Sequence, residues 1–230
     1  LHLQREKPLL GQVITRERNF FGVLSVLERQ SDGRRERLML HGETVHGLEA
    51  SDGPALCYYG LQSGVGRALE GLRIRGTLHI GAVGLGSGTL ATYGRVGDTI
   101  RFYEINPAAI TIARVHFSYL KECQAKVSLV TGDARLMLAA EEPQQLDLLE
   151  VDAFQGGIVP VHLMTLEAFQ VYARHLKPDG VLALHLSNRQ LNLTSVARAA
   201  AKELGWFARI IENKTKVMGE RESLWVIMTA

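Results

Sequence analysis

The stretch "GAVGLGSGTL", Gly81 to Leu90, decides which fold the sequence predicts. Three glycines, Gly84, Gly86 and Gly88, come directly after an apolar run and before a short helix-forming segment. Glycine at this density costs backbone entropy, so it is kept where a side chain would collide or where φ must be positive. A turn of this kind between a strand and a helix exposes free backbone N–H groups to an approaching ligand.

Composition and charge limit the class of protein. The chain has 230 residues, 46% of them hydrophobic and 22% charged, which is typical of a soluble protein with a proper core. The net charge of +2 comes from 26 basic and 24 acidic residues spread along the chain, so nucleic acid is not an expected partner. The sequence contains no apolar run of the roughly 18 residues that would span a membrane. Cys57 and Cys123 lack metal or redox spacing, which favours a reducing, cytoplasmic location.

The sequence pattern changes near residue 53. Residues 1–52 contain the short runs "GQVIT", "FFGVLSVLE" and "RERLML", separated by turn residues, and these predict a small antiparallel β domain. Residues 53–230 alternate seven apolar runs with helix-length segments. That alternation predicts an α/β fold with a mostly parallel seven-stranded sheet covered by helices on both faces. The predicted helices cover residues 58–69, 88–93, 107–120, 134–140, 166–175 and 194–204.

Acidic residues at the ends of three successive predicted strands indicate a binding site. Glu104 ends the second strand of the parallel sheet, Asp133 follows the third, and Asp152 follows the fourth. Ligands bind outside the carboxyl ends of parallel strands, and an acid after the second strand commonly holds a ribose. Each acid alone would also fit a helix N-cap or a solvated loop. Their joint spacing favours a nucleoside site.

Several further polar residues are candidates for the same site. His41 and His46 in "HGETVH" are expected to line the pocket or cap a turn, because no further ligands follow at a spacing usable for a metal. No metal is therefore predicted. Tyr58 and Tyr59 are expected to begin a helix, with one of them in the core and the other facing the site. Asn188 in "HLSNR" follows the fifth strand and lies on the same rim.

The motifs "GAVGLGSGTL", "RFYEINP", "TGDARLML" and "LLEVDAF", after a β-rich segment ending in "LMLHGETVHG", resemble the spermidine synthase (polyamine aminopropyltransferase) family. The resemblance is closer still to the spermidine-synthase-like domains often fused to membrane segments. It implies a class I methyltransferase-like Rossmann fold with a small N-terminal antiparallel β domain. It also implies a pocket for S-adenosylmethionine, its decarboxylated form or methylthioadenosine, and a small-molecule amine acceptor. A cytoplasmic homodimer, or the soluble domain of a membrane-associated protein, fits this resemblance.

The resemblance also implies roles for individual residues. The three glycines would let the backbone approach the aminopropyl-sulfonium end of the nucleoside. Glu104 would accept hydrogen bonds from both ribose hydroxyls, and Asp133 with the backbone of Ala134 would contact the adenine amino group. Asp152 matches the first acid of the family's catalytic loop, which deprotonates the attacking amine, and Tyr58 would be catalytic beside it.

Other positions depart from the family pattern. The loop "DAFQGGIVP" carries Gln155 and two glycines in the region where the family has a second acid. In addition, the sequence "YYG" stands where the family has Tyr-His-Glu. We therefore predict an acceptor other than putrescine, contacted by His46, Tyr59, Gln155 and Asn188. The predicted function is transfer of an aminopropyl or related alkyl group to that amine. The alternatives are a non-catalytic adenosyl-nucleoside-binding or regulatory domain and a small-molecule methyltransferase.

Overall fold

The computed structural model describes residues 11–31, 33–51, 57–154, 159–187, 192–214 and 220–230. Its first sheet is antiparallel and has four strands in the order β1-β2-β3-β4. Their bounds are β1 Gln12–Asn19, β2 Gly22–Ser31, β3 Arg34–His41 and β4 Thr44–Ala50. The sequence predicted only three runs here. The strand β4 was missed because Gly47 interrupts its apolar pattern, and that glycine is buried where Ser87 packs against it.

The second sheet has seven strands in the order β10-β11-β9-β8-β5-β6-β7. Their bounds are β5 His79–Val83, β6 Thr99–Glu104, β7 Lys126–Thr131, β8 Leu146–Val151, β9 Leu176–His185, β10 Phe207–Asn213 and β11 Ser223–Thr229. Neighbours among β5 to β9 pair in parallel, and β11 pairs antiparallel with both β9 and β10. The predicted fold class is confirmed.

Six α-helices connect these strands within the described residues. Their bounds are α1 Gly64–Leu72, α2 Pro107–His116, α3 Tyr119–Glu122, α4 Ala134–Ala140, α5 Leu166–His175 and α6 Thr194–Leu204. The predicted start at residue 58 was wrong. Helix α1 begins later because the Ser63 side chain caps it by accepting a hydrogen bond from the Gly66 N–H, so Tyr58 and Tyr59 precede the helix. The segment predicted as a helix at 88–93 is a 3-10 helix, Thr89–Tyr93.

The two sheets share a core. Hydrophobic clusters cover both faces of the second sheet, and Leu24, Val26 and Met39 of the first sheet belong to one of them. The first sheet is thereby held beside the glycine turn after β5. The predicted domain boundary between residues 52 and 53 lies outside the described residues and stays a prediction. In the part of the chain that the structure describes, no helix is long and apolar enough to cross a bilayer.

Candidate active site

A cavity of about 250 Å³ lies at the carboxyl edge of the second sheet. Glu104 at the end of β6, Asp133 after β7 and Asp152 after β8 all line it. The structure thus brings the three predicted acids to one cavity. Residues of the first sheet and its hairpin turn line the same cavity: Phe20, Phe21, Leu24, Met39, His41 and His46.

The glycine turn after β5 closes one side of this cavity through positive φ angles. Gly84 has φ of +97° and Gly86 has φ of +53°. A Cβ at Gly84 would collide with the carbonyl oxygen of Asp152, and one at Gly86 would lie 2.8 Å from the carbonyl oxygen of His46. Both glycines therefore let neighbouring backbones meet at the site. Gly88 is the N-cap residue of the 3-10 helix and does not line the cavity.

Glu104 is fixed by backbone donors. Its Oε2 accepts a hydrogen bond from the Leu85 N–H at 3.0 Å, and its Oε1 accepts one from the Asn106 N–H at 2.8 Å. Burial raises the pKa of Glu104, and these backbone donors act against that increase. Each carboxylate oxygen keeps a second lone pair. Glu104 can therefore accept two further hydrogen bonds from a pair of adjacent hydroxyls.

Asp133 is both a helix cap and a residue of the cavity wall. Its Oδ1 accepts a hydrogen bond from the Leu136 N–H at 3.1 Å, which caps α4, and Ala134 lines the cavity beside it. Its Oδ2 lies 2.8 Å from Nε2 of His162. The sequence analysis missed His162, because a lone histidine in an apolar segment gives no signal without the fold. The structure makes it part of the cavity wall.

Asp152 lies at the centre of a chain of hydrogen bonds. Its Oδ2 is 2.5 Å from the hydroxyl of Tyr59, and its Oδ1 is 2.7 Å from Nδ1 of His185. The hydroxyl that contacts Asp152 belongs to Tyr59 and not to Tyr58. The ring of Tyr58 packs against the ring of His185, with the two ring centroids 5.1 Å apart. The catalytic role predicted for Tyr58 therefore has no direct contact with Asp152 to support it.

The surroundings of Asp152 favour its ionised form. Burial raises the pKa of this carboxyl, but the charge of His185 and the hydrogen bonds from His185 and Tyr59 outweigh burial. The net effect is a pKa below the usual value for aspartate. A carboxylate held in this way is ionised at neutral pH, which is the form that a general base requires.

A second, smaller cavity of about 80 Å³ adjoins the first. Asp152, His46, Leu85, Gly86 and Phe154 line both cavities. The other residues that line the smaller cavity carry hydroxyl, aliphatic or aromatic side chains, and one of them is a histidine: Thr44, Val45, Tyr58, Tyr59, Thr89, His185 and Ser187. The two cavities therefore meet at Asp152.

His46 presents an unsatisfied nitrogen between these cavities. Its Nε2 is buried, with no hydrogen-bond partner among the described residues. Burial lowers the pKa of His46 to about 4, with Asp152 opposing this change and the charges of His41 and His185 adding to it. His46 is therefore neutral at pH 7 and can hydrogen-bond a ligand without adding charge.

Other predicted residues and a missed pair complete the site. Gln155 and Asn188 lie outside the described residues, so their predicted contacts stay predictions. No cluster of three or more potential metal-ligating side chains occurs in the described ranges. Sequence reasoning missed Glu150 and His185. The two-residue spacing from Glu150 to Asp152, which places both on one face of an extended chain, was the available signal for the first.

Comparisons with known proteins agree with this architecture. No protein-family model matches the chain. A polyamine aminopropyltransferase of Vibrio vulnificus is 36% identical over 81 residues, which are 34% of this chain and 26% of that protein. The chain thus aligns with about a quarter of the length of this curated relative.

Solved structures extend the similarity to nearly the whole chain. A probable spermidine synthase from Corynebacterium glutamicum matches with a TM-score of 0.69 and 19% identity, over 96% of this chain and 80% of that one. Human methyltransferase-like protein 13, in complex with SAH, matches with a TM-score of 0.54 and 21% identity, over 71% and 78%. The fold is therefore that of the class I methyltransferases, with an added N-terminal sheet. Within that fold, both the curated relative and the bacterial structure are named as enzymes of the polyamine aminopropyltransferase (spermidine synthase) type, the family that the motifs of this chain resemble.

Proposed function

We propose that the protein is an aminopropyltransferase-like enzyme that binds a sulfonium nucleoside and transfers an aminopropyl or related alkyl group to a small amine. The observation that carries this proposal is the position of Asp152, a carboxylate that lines both the larger and the smaller cavity. The larger cavity would hold the nucleoside, with Glu104 at the ribose hydroxyls and Asp133 at the adenine amino group. The smaller cavity would hold the amine.

The reaction needs a base at the junction of the cavities. An alkylamine with a pKa of roughly 10 is only about one part in a thousand neutral at pH 7, so its proton must be removed. The amine nitrogen forms a bond to the carbon beside the sulfonium, the C–S bond breaks with its electrons going to sulfur, and the proton goes to Asp152. General-base catalysis of this kind contributes about 10²- to 10⁴-fold, and positioning of the two substrates supplies much of the remainder.

The nucleoside site leads to a first prediction. Methylthioadenosine should bind in the micromolar range or tighter in calorimetry. Glu104→Gln should weaken binding by about 1 to 3 kcal/mol, because the amide nitrogen cannot accept the hydrogen bonds that the carboxylate accepts. Glu142→Gln, at an exposed position, is the matched control and should bind as the parent does. Absence of heat at millimolar ligand would contradict the proposed nucleoside site.

The acceptor site leads to a second prediction. Asp152 is the one carboxylate among the described residues of the smaller cavity. The second ammonium of putrescine would thus be buried without a partner at a cost of several kcal/mol. With decarboxylated S-adenosylmethionine, propylamine should give a kcat/KM at least about tenfold above that of putrescine. Gly157→Asp, which restores an acid to the loop after Asp152, should raise putrescine use. Efficient putrescine turnover by the parent would refute the proposed acceptor class.

A further inference from the structure

Glu150 is a buried acid for which the reaction proposed above has no use. It lies on β8, two residues before Asp152, and is 1% exposed. Its Oε1 lies 2.9 Å from the hydroxyl oxygen of Tyr59, the same oxygen that lies 2.5 Å from Asp152 Oδ2. Two carboxyl groups therefore share one phenol.

Counting protons shows that one of these carboxyl groups is protonated. A phenol has one proton to donate, and an ionised carboxylate can only accept. Two ionised carboxylates would leave one short oxygen-oxygen contact without a proton, in a site that excludes water from Glu150. Either Glu150 or Asp152 must therefore carry a proton of its own.

The other side of Asp152 decides which of the two carries it. The backbone N–H of Leu224 donates to Oγ of Ser187 at 2.8 Å, and Ser187 Oγ lies 2.7 Å from Nε2 of His185. The Ser187 hydroxyl can donate to Nε2, which leaves the proton of a neutral ring on Nδ1, facing Asp152. A positively charged ring also donates from Nδ1 to Asp152. Asp152 therefore has donors at both oxygens.

Glu150 has Tyr59 as its hydrogen-bond partner among the described residues. The negative charge is more stable on Asp152, which can accept from both Tyr59 and His185, than on Glu150, which among the described residues can accept only from Tyr59. Burial raises the pKa of Glu150 well above its usual value, and the charge of Asp152 raises it further. These effects agree with the count of donors.

We propose that Glu150 is a carboxylic acid in the resting protein and acts as a positioning residue, donating its proton to Tyr59 so that the Tyr59 proton is committed to Asp152. The buried chain then carries one negative charge, located on Asp152, and the orientation of that carboxylate toward the amine is fixed. The protonation of Glu150 stands on the geometry alone, whereas its part in catalysis rests on the proposed function.

Stability as a function of pH tests the protonation without any turnover. Above the usual pKa of glutamate the unfolded chain releases a proton that folded Glu150 retains, so rising pH favours unfolding of the parent. Glu150→Gln lacks this proton. Above about pH 5, for as long as folded Glu150 keeps its proton, the unfolding equilibrium constant of Glu150→Gln should fall relative to that of the parent by about tenfold per pH unit. Glu142→Gln, at an exposed position, is the matched control. A pH-independent difference for Glu150→Gln would overturn the proposal.

Infrared spectroscopy of the resting protein locates the proton directly. A carboxylic-acid C=O band that shifts on deuteration should persist at pH 7, disappear in Glu150→Gln and remain in Asp152→Asn. A band that remains in Glu150→Gln would place the proton on Asp152, and absence of the band in the parent would also overturn the proposal. A band that remains in Asp152→Asn assigns the proton to Glu150 even where Glu150→Gln does not fold.

Kinetics test the positioning role separately. The amide of Glu150→Gln still donates to Tyr59, so this variant should keep the parental kcat and pH profile within a few-fold. Glu150→Leu removes the donor and should lower kcat by about tenfold with KM for the nucleoside unchanged. Equal kcat values in the two variants would refute the positioning role. Lack of turnover by the parent with every amine and donor would instead refute the proposed function, while the unfolding and infrared measurements still decide whether Glu150 is protonated.

Discussion

Asp152→Asn should lower turnover by about 10²-fold or more while the affinity for methylthioadenosine stays nearly unchanged. The substitution keeps the size of the side chain but removes the carboxylate that is proposed to accept the amine proton. It also replaces one acceptor oxygen by an N–H donor, so Tyr59 or His185 loses its partner at Asp152. Glu104 at the end of β6 and Asp133 after β7, which are proposed to hold the nucleoside, are unchanged by the substitution.

Binding and chemistry are measured separately for this variant, by calorimetry and by mass spectrometry of the products. Asp179→Asn is the matched control, because the Asp179 side chain is 66% exposed and lies away from the site. Turnover that survives in Asp152→Asn would assign the base to another residue. Equal losses of affinity and turnover would make Asp152 a binding residue. Parental enzyme that transforms no amine with any donor would favour a nucleoside-binding module.

Much of the fold, and the position of the three acids at one edge of the sheet, could be predicted because both depend on the local sequence pattern. Alternating strands and helices specify a parallel sheet, and the chain order then carries Glu104, Asp133 and Asp152 to one edge. The structure brings these three acids together as that reasoning expects. Helices α4, α5 and α6 begin and end where they were predicted, since strong caps or a following glycine mark several of their ends.

The interactions around Asp152 could not be predicted from local pattern. Tyr59 lies 93 residues before Asp152, and His185 lies 33 residues after it on a different strand. Which of two adjacent tyrosines faces the acid depends on where α1 begins, and the sequence interpretation started that helix too early. Gly86 is a similar case. A Cβ at Gly86 would collide with the backbone of His46, which lies on β4, a strand that the sequence pattern did not predict.

Gly84→Ala should have the largest effect on stability of the substitutions considered for this site. Alanine at φ of +97° is strained, and its Cβ would collide with the carbonyl oxygen of Asp152. Together these effects should lower the free energy of unfolding by about 2 to 5 kcal/mol. Relief of the collision moves β8 away from β5 and displaces the adjoining Leu85 N–H, which orients Glu104. Nucleoside affinity should therefore fall at least about tenfold in the protein that remains folded.

Urea unfolding and calorimetry at a temperature well below the unfolding midpoint test this expectation. Gly71→Ala is the matched control: it lies in α1, and its Cβ would meet nothing within 4 Å. Alanine there should stabilise the protein by about 0.5 to 1 kcal/mol, because it lowers the backbone entropy lost on folding. Parental stability of Gly84→Ala would show that β5 and β8 can separate without cost. In that case the glycine would be needed for ligand approach alone, and affinity would fall while stability did not.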